Sequence, residues 1–174
     1  MKDELNSALV IHSGGQDSTT CLVWALKRFE QVSTMTFDYN QRHKVEIKCA
    51  QEIVERINAG QIEGLAWVGD KHIEAHDVLD VSSVFSFLDT SMIQETDIVE
   101  DADTGLPSTF VPGRNLLFLT LAAAYAYQHG IKHLVTGVCQ TDYSGYPDCR
   151  DATIKSLQAT LNLGMDYDII IHTP

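Results

Sequence analysis

Ser7-Ala8-Leu9-Val10-Ile11-His12-Ser13-Gly14-Gly15-Gln16-Asp17-Ser18 is the stretch whose reading decides the fold. Ser7 to His12 form a short apolar, β-branched run that stops at a serine and two glycines, as a buried strand does. From Asp17 the period changes. Ser18, Cys21, Leu22, Ala25 and Phe29 fall at helical spacing, with Asp17 or Ser18 placed to cap the first turn of a helix running to about Phe29. A strand, a glycine turn and a helix in this order put backbone amides and the positive end of a helix dipole at one point. The glycines let an anion approach without a Cβ in the way, and the serines offer hydroxyls. The loop therefore reads as a pyrophosphate cradle, with a plain serine-capped turn as the alternative. It lacks the lysine of a Walker A motif and the third glycine of a dinucleotide fingerprint, so those two readings fall. On the cradle reading, Gly14→Ala is expected to remove phosphate binding and spare folding.

Outward from this unit, strands and helices take turns. Val32 to Phe37 reads as a strand, Asp38 to His43 as a polar loop, and Ile47, Ala50, Ile53, Val54 and Ile57 as an amphipathic helix. Gly60, Gly64 and Gly69 punctuate the next stretch, before a strand near His76 to Val81. Residues 89–108 carry Asp89, Glu95, Asp97, Glu100, Asp101 and Asp103 and read as an acidic flap. Arg114 to His129 is apolar on nearly every side, as in a helix buried between layers. A strand at His133 to Val138, a helix marked by Ile154, Leu157 and Leu161, and a last strand at Asp168 to His172 complete the pattern. The expected fold is one α/β domain over residues 1–174, a doubly wound, mostly parallel five-stranded sheet with helices on both faces. Ligands belong at the carboxyl ends of the strands, where loops 13–18, 38–43 and 138–149 converge.

Composition narrows the chemistry. The 174 residues carry 24 acidic and 12 basic side chains, a formal charge of −12, which repels a nucleic-acid backbone and favours small-molecule work. Cys21, Cys49, Cys139 and Cys149 show no Cys-x-x-Cys spacing, no basic and apolar leader opens the chain, and no apolar run of about 18 residues suits a membrane span. The expectation is a cytoplasmic protein with reduced thiols and no metal-ligating set. His72 and His76, four apart beside Asp77, read as surface histidines rather than a metal pair, and Trp24 and Trp67 as packing residues.

Further segments join the first loop: Thr36-Phe37-Asp38-Tyr39, Gln41-Arg42-His43, Thr109-Phe110-Val111-Pro112-Gly113-Arg114-Asn115, Thr136-Gly137-Val138, Thr141-Asp142, and Ser144-Gly145-Tyr146-Pro147-Asp148-Cys149-Arg150-Asp151. Together they resemble the 7-cyano-7-deazaguanine synthase (QueC) family of PP-loop N-type ATP pyrophosphatases, over nearly the whole chain. Asn40 stands where that family shows glycine, and His12 where an apolar residue precedes the loop. The resemblance implies a ligase that converts 7-carboxy-7-deazaguanine and ammonia to the nitrile in queuosine biosynthesis, splitting ATP to AMP and pyrophosphate with Mg2+. It also implies a four-cysteine Zn2+ segment at the C-terminus, which this chain is expected to lack. The partners are expected to be small molecules, with no nucleic acid and no membrane, the chain acting alone or as a homodimer. A PP-loop tRNA-modifying enzyme, a split subunit and an ATP-binding remnant are the rival readings.

By the same resemblance His12, Ser13, Gly14, Gly15, Gln16, Asp17, Ser18, Thr19, Thr20, Cys21 and Leu22 surround the ATP phosphates, with Phe37, Asp38 and Gly137 toward the adenine and Gly113 and Arg114 closing the site. Asp17, Arg114 and Arg150 are the catalytic candidates. Arg114 opens a helix, where a planar guanidinium holds phosphate or carboxylate oxygens, or pairs with the acidic flap. Gln41, Arg42, Asp142, Tyr146, Asp148 and Arg150 are the candidates for reading the deazaguanine edge, the alternative for those in the loop after strand four being a simple turn.

Overall fold

A computed structural model describes residues 6–41, 45–69, 71–86, 109–139 and 146–174. Arg42, His43, Asp142 and the acidic stretch 89–108 lie outside the described residues. The elements are β1 (Ser7–Ile11), α1 (Gln16–Arg28), β2 (Gln31–Asp38), α2 (Val45–Asn58), β3 (Ile73–Asp80), a short α3 (Ser82–Phe85), α4 (Arg114–His129), β4 (His133–Val135), α5 (Asp151–Met165) and β5 (Ile170–His172), with 3-10 turns at Ala66–Val68 and Pro147–Cys149. The five strands lie in the order β3-β2-β1-β4-β5, and all four pairings are parallel. This is the doubly wound α/β sheet expected, with parallel pairing throughout.

Alternation along the strands sorts side chains into two layers. Ala8 and Val10 of β1 pack with Cys21, Leu22, Ala25 and Leu26 of α1 and with Val54 and Ile57 of α2. Leu9, between them, faces the opposite layer, with Phe118, Leu119, Ala122, Ala123 and Ala126 of α4 and Ile154 and Leu161 of α5. Each fully buried leucine or valine contributes on the order of 2 kcal/mol, so the sheet is held by apolar burial on both sides. Trp24 packs at the edge of the first layer beside Phe29 and His172, whereas Trp67 is 44% exposed with the Lys27 ammonium over its ring.

Three expectations need correction. β4 ends at Val135, not Val138, because Gly137 leaves the ladder to lie against the start of α1, where a Cβ would meet the Asp17 carbonyl carbon and the Ser18 nitrogen at 3.2 Å. β3 begins at Ile73, ahead of His76; Ile73 is buried, but exposed Glu74 and Asp77 hide the alternation. His76 is not a surface histidine: it is half-buried on β3, with Nδ1 2.8 Å from Thr34 Oγ1. Asn40 adopts φ of 61°, the left-handed region that asparagine tolerates better than most residues and glycine better still.

Candidate active site

The strand order reverses between β1 and β4, and there the loop from Ser13 to Gly15 leads into α1. The cap is Gly15, not Asp17 or Ser18, and no side chain caps the helix. The hydroxyls build the loop itself. Ser18 Oγ accepts the Ser13 amide at 3.2 Å and donates to the Gly15 carbonyl at 3.0 Å, while Ser13 Oγ accepts the Gly15 amide at 3.3 Å. Thr19 adds its amide at 3.0 Å and its hydroxyl at 2.8 Å to the same Gly15 carbonyl. That carbonyl is thereby drawn into the helix start and away from any anion. The amides of Gln16, Asp17 and Ser18 precede the first helical hydrogen bond and have no acceptor within α1. A Cβ on Gly15 would meet nothing closer than Ser13 Oγ at 3.4 Å, so this glycine opens toward a ligand. Gly14 does not. With φ of +83°, it is pressed on α2, and its added Cβ would stand 2.5 Å from the Glu46 carbonyl oxygen and 2.6 Å from the Ala50 nitrogen. The expectation that Gly14→Ala spares folding is corrected on that ground.

His12 anchors the loop from below. It is fully buried, its amide donates to the Met35 carbonyl at 2.9 Å, and its carbonyl accepts from Thr36 Oγ1 at 2.5 Å. The Thr19 hydroxyl spends its proton on Gly15, so its 3.3 Å contact with His12 requires the proton on His12 Nε2 and leaves Nδ1 a bare acceptor. Nδ1 has no hydrogen-bond partner. Burial, with His76 adding to it, lowers the His12 pKa to about 4, so the ring is neutral beneath the loop.

A cleft of about 320 Å³ opens over this switch point, within the size range of small-ligand sites. Ser13, Gly15, Gln16, Asp17 and Ser18 form one wall, and Ile11, Thr36, Phe37, Thr136, Gly137 and Val138 the floor. Tyr39, Gln41 and Glu46 come from the end of β2 and the first turn of α2. Arg114, Asn115 and Phe118 come from α4, and Tyr146 and Cys149 from the loop after β4. Phe37 and Phe118 stack on each other at 4.2 Å with rings 2° from parallel and give this side of the cleft an apolar, aromatic lining. Arg114 lines the same cleft, and its Nη1 donates to Tyr39 Oη at 3.2 Å. Among the described residues no acid pairs with Arg114 and no base pairs with Asp17 or Glu46. The cleft thus brings together helix-start amides, a guanidinium and carboxylates that pair with no base among the described residues.

The family model for "Queuosine biosynthesis protein QueC" matches residues 7–174. The 7-cyano-7-deazaguanine synthase of Alkalilimnicola ehrlichii is 55% identical over 172 residues, covering 99% of this chain and 70% of that protein. The chain belongs to the QueC family. The enzyme of the same name from Halorhodospira halophila is 53% identical over 98% of this chain and 67% of its own length. Among solved structures, a 4-thiouridine synthetase–RNA complex with bound ATP superposes with a TM-score of 0.59 at 16% identity, over 97% of this chain and 36% of that one. A predicted subunit of tRNA methyltransferase from Methanocaldococcus jannaschii gives 0.55 at 18%, over 98% of this chain and 68% of that one. Both likenesses are of fold.

Within the QueC motifs the structure separates cleft residues from supporting ones. Cys21 and Leu22, assigned to the nucleotide from the motif, are core residues on the inner face of α1. Thr20 bonds back to the Gln16 carbonyl on the outer face, and Thr19 faces His12. Asp38 Oδ1 accepts the Asn40 amide and shapes the turn after β2, and Gly113 caps α4 with φ of 73°. Gln41 reaches the cleft, but its Oε1 accepts the Tyr39 amide at 3.1 Å. Asp148 is 5% exposed, and its Oδ2 accepts the Asn115 amide at 3.0 Å in the first turn of α4. It sits behind the wall rather than in it. Arg150 is exposed and lies outside the cleft lining. Tyr39, Glu46, Asn115, Phe118 and Cys149 line the cleft and were not assigned roles from sequence. The 32-residue span between Arg114 and Tyr146 gives no hint of their meeting, although both lie in motif segments.

Proposed function

We infer that the chain uses ATP to convert 7-carboxy-7-deazaguanine and ammonia into 7-cyano-7-deazaguanine, through adenylated intermediates, in queuosine biosynthesis. The observation that carries this reading is that one cleft is lined by the start of α1, whose first amides have no acceptor within the helix, by Arg114 and by the stacked Phe37 and Phe118. The amides and open Gly15 suit the nucleotide's terminal phosphates, the aromatic lining suits a base, and Arg114 suits the carboxylate or α-phosphate between them. Asp17, at the mouth of the amide cradle, would hold Mg2+, which supplies charge neutralisation on the phosphates.

A carboxylate resists ammonia because its leaving group would be oxide. Transfer of AMP to it creates a good leaving group, and the amide that forms needs a second activation before it loses oxygen as the nitrile. Both rounds fit one site, and neither needs a covalent enzyme nucleophile. Tyr146, within reach of the cleft, presents a ring to the acceptor while its hydroxyl sits 2.6 Å from Thr109 Oγ1. The test is release of AMP and pyrophosphate from ATP. The expected result is turnover that requires 7-carboxy-7-deazaguanine and, for the nitrile, ammonia. ATP binding without release identifies a nucleotide-binding protein instead, and release driven by tRNA identifies a tRNA-modifying enzyme.

A further inference from the structure

Tyr39 is a buried side chain of the cleft lining that touches Arg114, and the function read above does not use it. Its ring is 7% exposed, packed edge-on to Phe85 at 5.9 Å and tilted against Phe118 at 5.5 Å, so the phenol has little freedom. Its oxygen accepts from Arg114 Nη1 at 3.2 Å, and the guanidinium carbon lies 5.6 Å from the ring centre. A phenol that accepts in this way still carries its own proton. Among the described residues no acceptor takes that proton, although the side chain lines the cleft. Burial holds the Tyr39 pKa above its ordinary value despite the neighbouring guanidinium, and Glu46 pushes it the same way, so the donor stays protonated at neutral pH. Two donors, one neutral and one cationic, therefore stand side by side in the cleft lining.

We propose that Tyr39 is a catalytic residue, its hydroxyl and the Arg114 guanidinium together binding the oxygen on which negative charge collects when ammonia adds to the activated acceptor. The proposal rests on the adenylation reading above. The ammonia lone pair forms the carbon–nitrogen bond, and the carbonyl π pair moves onto oxygen. That oxyanion accepts hydrogen bonds from Tyr39 Oη–H and Arg114 N–H. The pair then returns to remake the carbonyl, the bond from carbon to phosphate oxygen breaks, and AMP leaves with its electrons. The surplus proton on nitrogen goes to water. Donors rigidly aimed at a developing charge cost nothing to reorganise at the moment of reaction, and loss of one such donor typically costs about a hundredfold to a thousandfold in rate.

Tyr39→Phe tests this because it keeps the ring that packs on Phe85 and Phe118 and removes only the donor. Two readouts are needed: ATP–pyrophosphate exchange driven by 7-carboxy-7-deazaguanine without ammonia, and ammonia-dependent product formation. An unchanged thermal melt together with retained exchange shows that the variant folds and adenylates. The expected result is a kcat for the ammonia step lower by about a hundredfold, with exchange and the KM for the acceptor within about threefold of the parent. Product formation at the parent rate overturns the proposal. So does a fall in exchange that matches the fall in synthesis, which would make the hydroxyl a prop for Arg114, or a rise in acceptor KM alone, which would make it a ground-state contact. A parent protein with no exchange at all overturns the adenylation reading and this proposal with it, whereas normal parent exchange beside any of the other three failures overturns the Tyr39 role alone.

Discussion

A Cβ at position 14 would collide with backbone atoms of α2 that cannot swing aside, and φ of +83° strains any side chain there before the collision is counted. Gly14→Ala is therefore expected to cost on the order of 3 kcal/mol or more, lowering Tm by roughly 10 °C for a domain of this size. A melt matching the parent would contradict the close approach of the loop to α2. Gly15 is the counterpart, since its open side faces the cleft: Gly15→Val should leave Tm within a few degrees and weaken nucleotide binding, as read by isothermal titration. His12 sets an acid limit. Its folded pKa of about 4 lies below the ordinary 6.5, so the unfolded chain binds more protons between those values. The stability this group contributes, on the order of 3 kcal/mol, is present above pH 6.5 and is lost as pH falls toward 4. Burial also lowers the pKa of His76, His133 and His172, which act in the same direction. Denaturant midpoints measured from pH 7.5 to 4.5 should decline, and His12→Leu should flatten part of that decline. An equal slope in parent and variant would show that His12 titrates normally.

At the start of α4 the helix needs help from a distance, because Gly113 offers no capping side chain and holds φ of 73°. Asp148 supplies that help: its buried carboxylate takes the Asn115 amide, and Asn115 Nδ2 in turn lies 3.3 Å from Cys149 Sγ. The loop after β4 is thereby latched to the helix turn that carries Arg114. Asp148→Ala leaves a buried amide unsatisfied and is expected to cost about 2 kcal/mol, with a lower Tm and a higher KM for the acceptor as Arg114 loses its fixed base. A lower Tm with unchanged kinetics would limit Asp148 to a structural part. This latch also shows where reading the sequence stopped. Apolar runs recovered β1 and β2, and α4 was legible as a stretch apolar on nearly every side. Helical periodicity recovered α1 through Cys21, Leu22 and Ala25, α2 through Ala50, Val54 and Ile57, and α5 through Ile154 and Leu161. The strand, glycine turn and helix around residues 13–15 were legible because they form one contiguous string. Asp148 was not: a carboxylate in a polar loop looks available to a ligand until the fold puts a helix start 3.0 Å away. Tyr39 and Glu46 escaped notice because their convergence with Arg114 on one cleft depends on how β2, α2 and α4 are placed, which no local pattern encodes.

Over the whole molecule, the two apolar layers share a single sheet, and β1 contributes alternate side chains to both. Neither layer keeps its shape if β1 leaves, so the described elements should unfold together as one domain. The cleft lies at the reversal between β1 and β4 and draws walls from α1, α2 and α4. A ligand bound there touches both layers and should raise the stability of the whole fold rather than of one part. The linkage has a definite size: Mg·ATP at a hundred times its dissociation constant adds about 2.7 kcal/mol, or roughly 5–10 °C in Tm for a chain of this length. We expect a single calorimetric transition that moves upward as one peak with increasing Mg·ATP, with circular dichroism at helix wavelengths and tryptophan emission shifting in step. Trp24 reports the α1 layer in that experiment, because its ring packs against Phe29 and His172. A peak that splits on adding nucleotide would mean that the α4–α5 layer melts independently of the cradle, and the single-domain reading would fall.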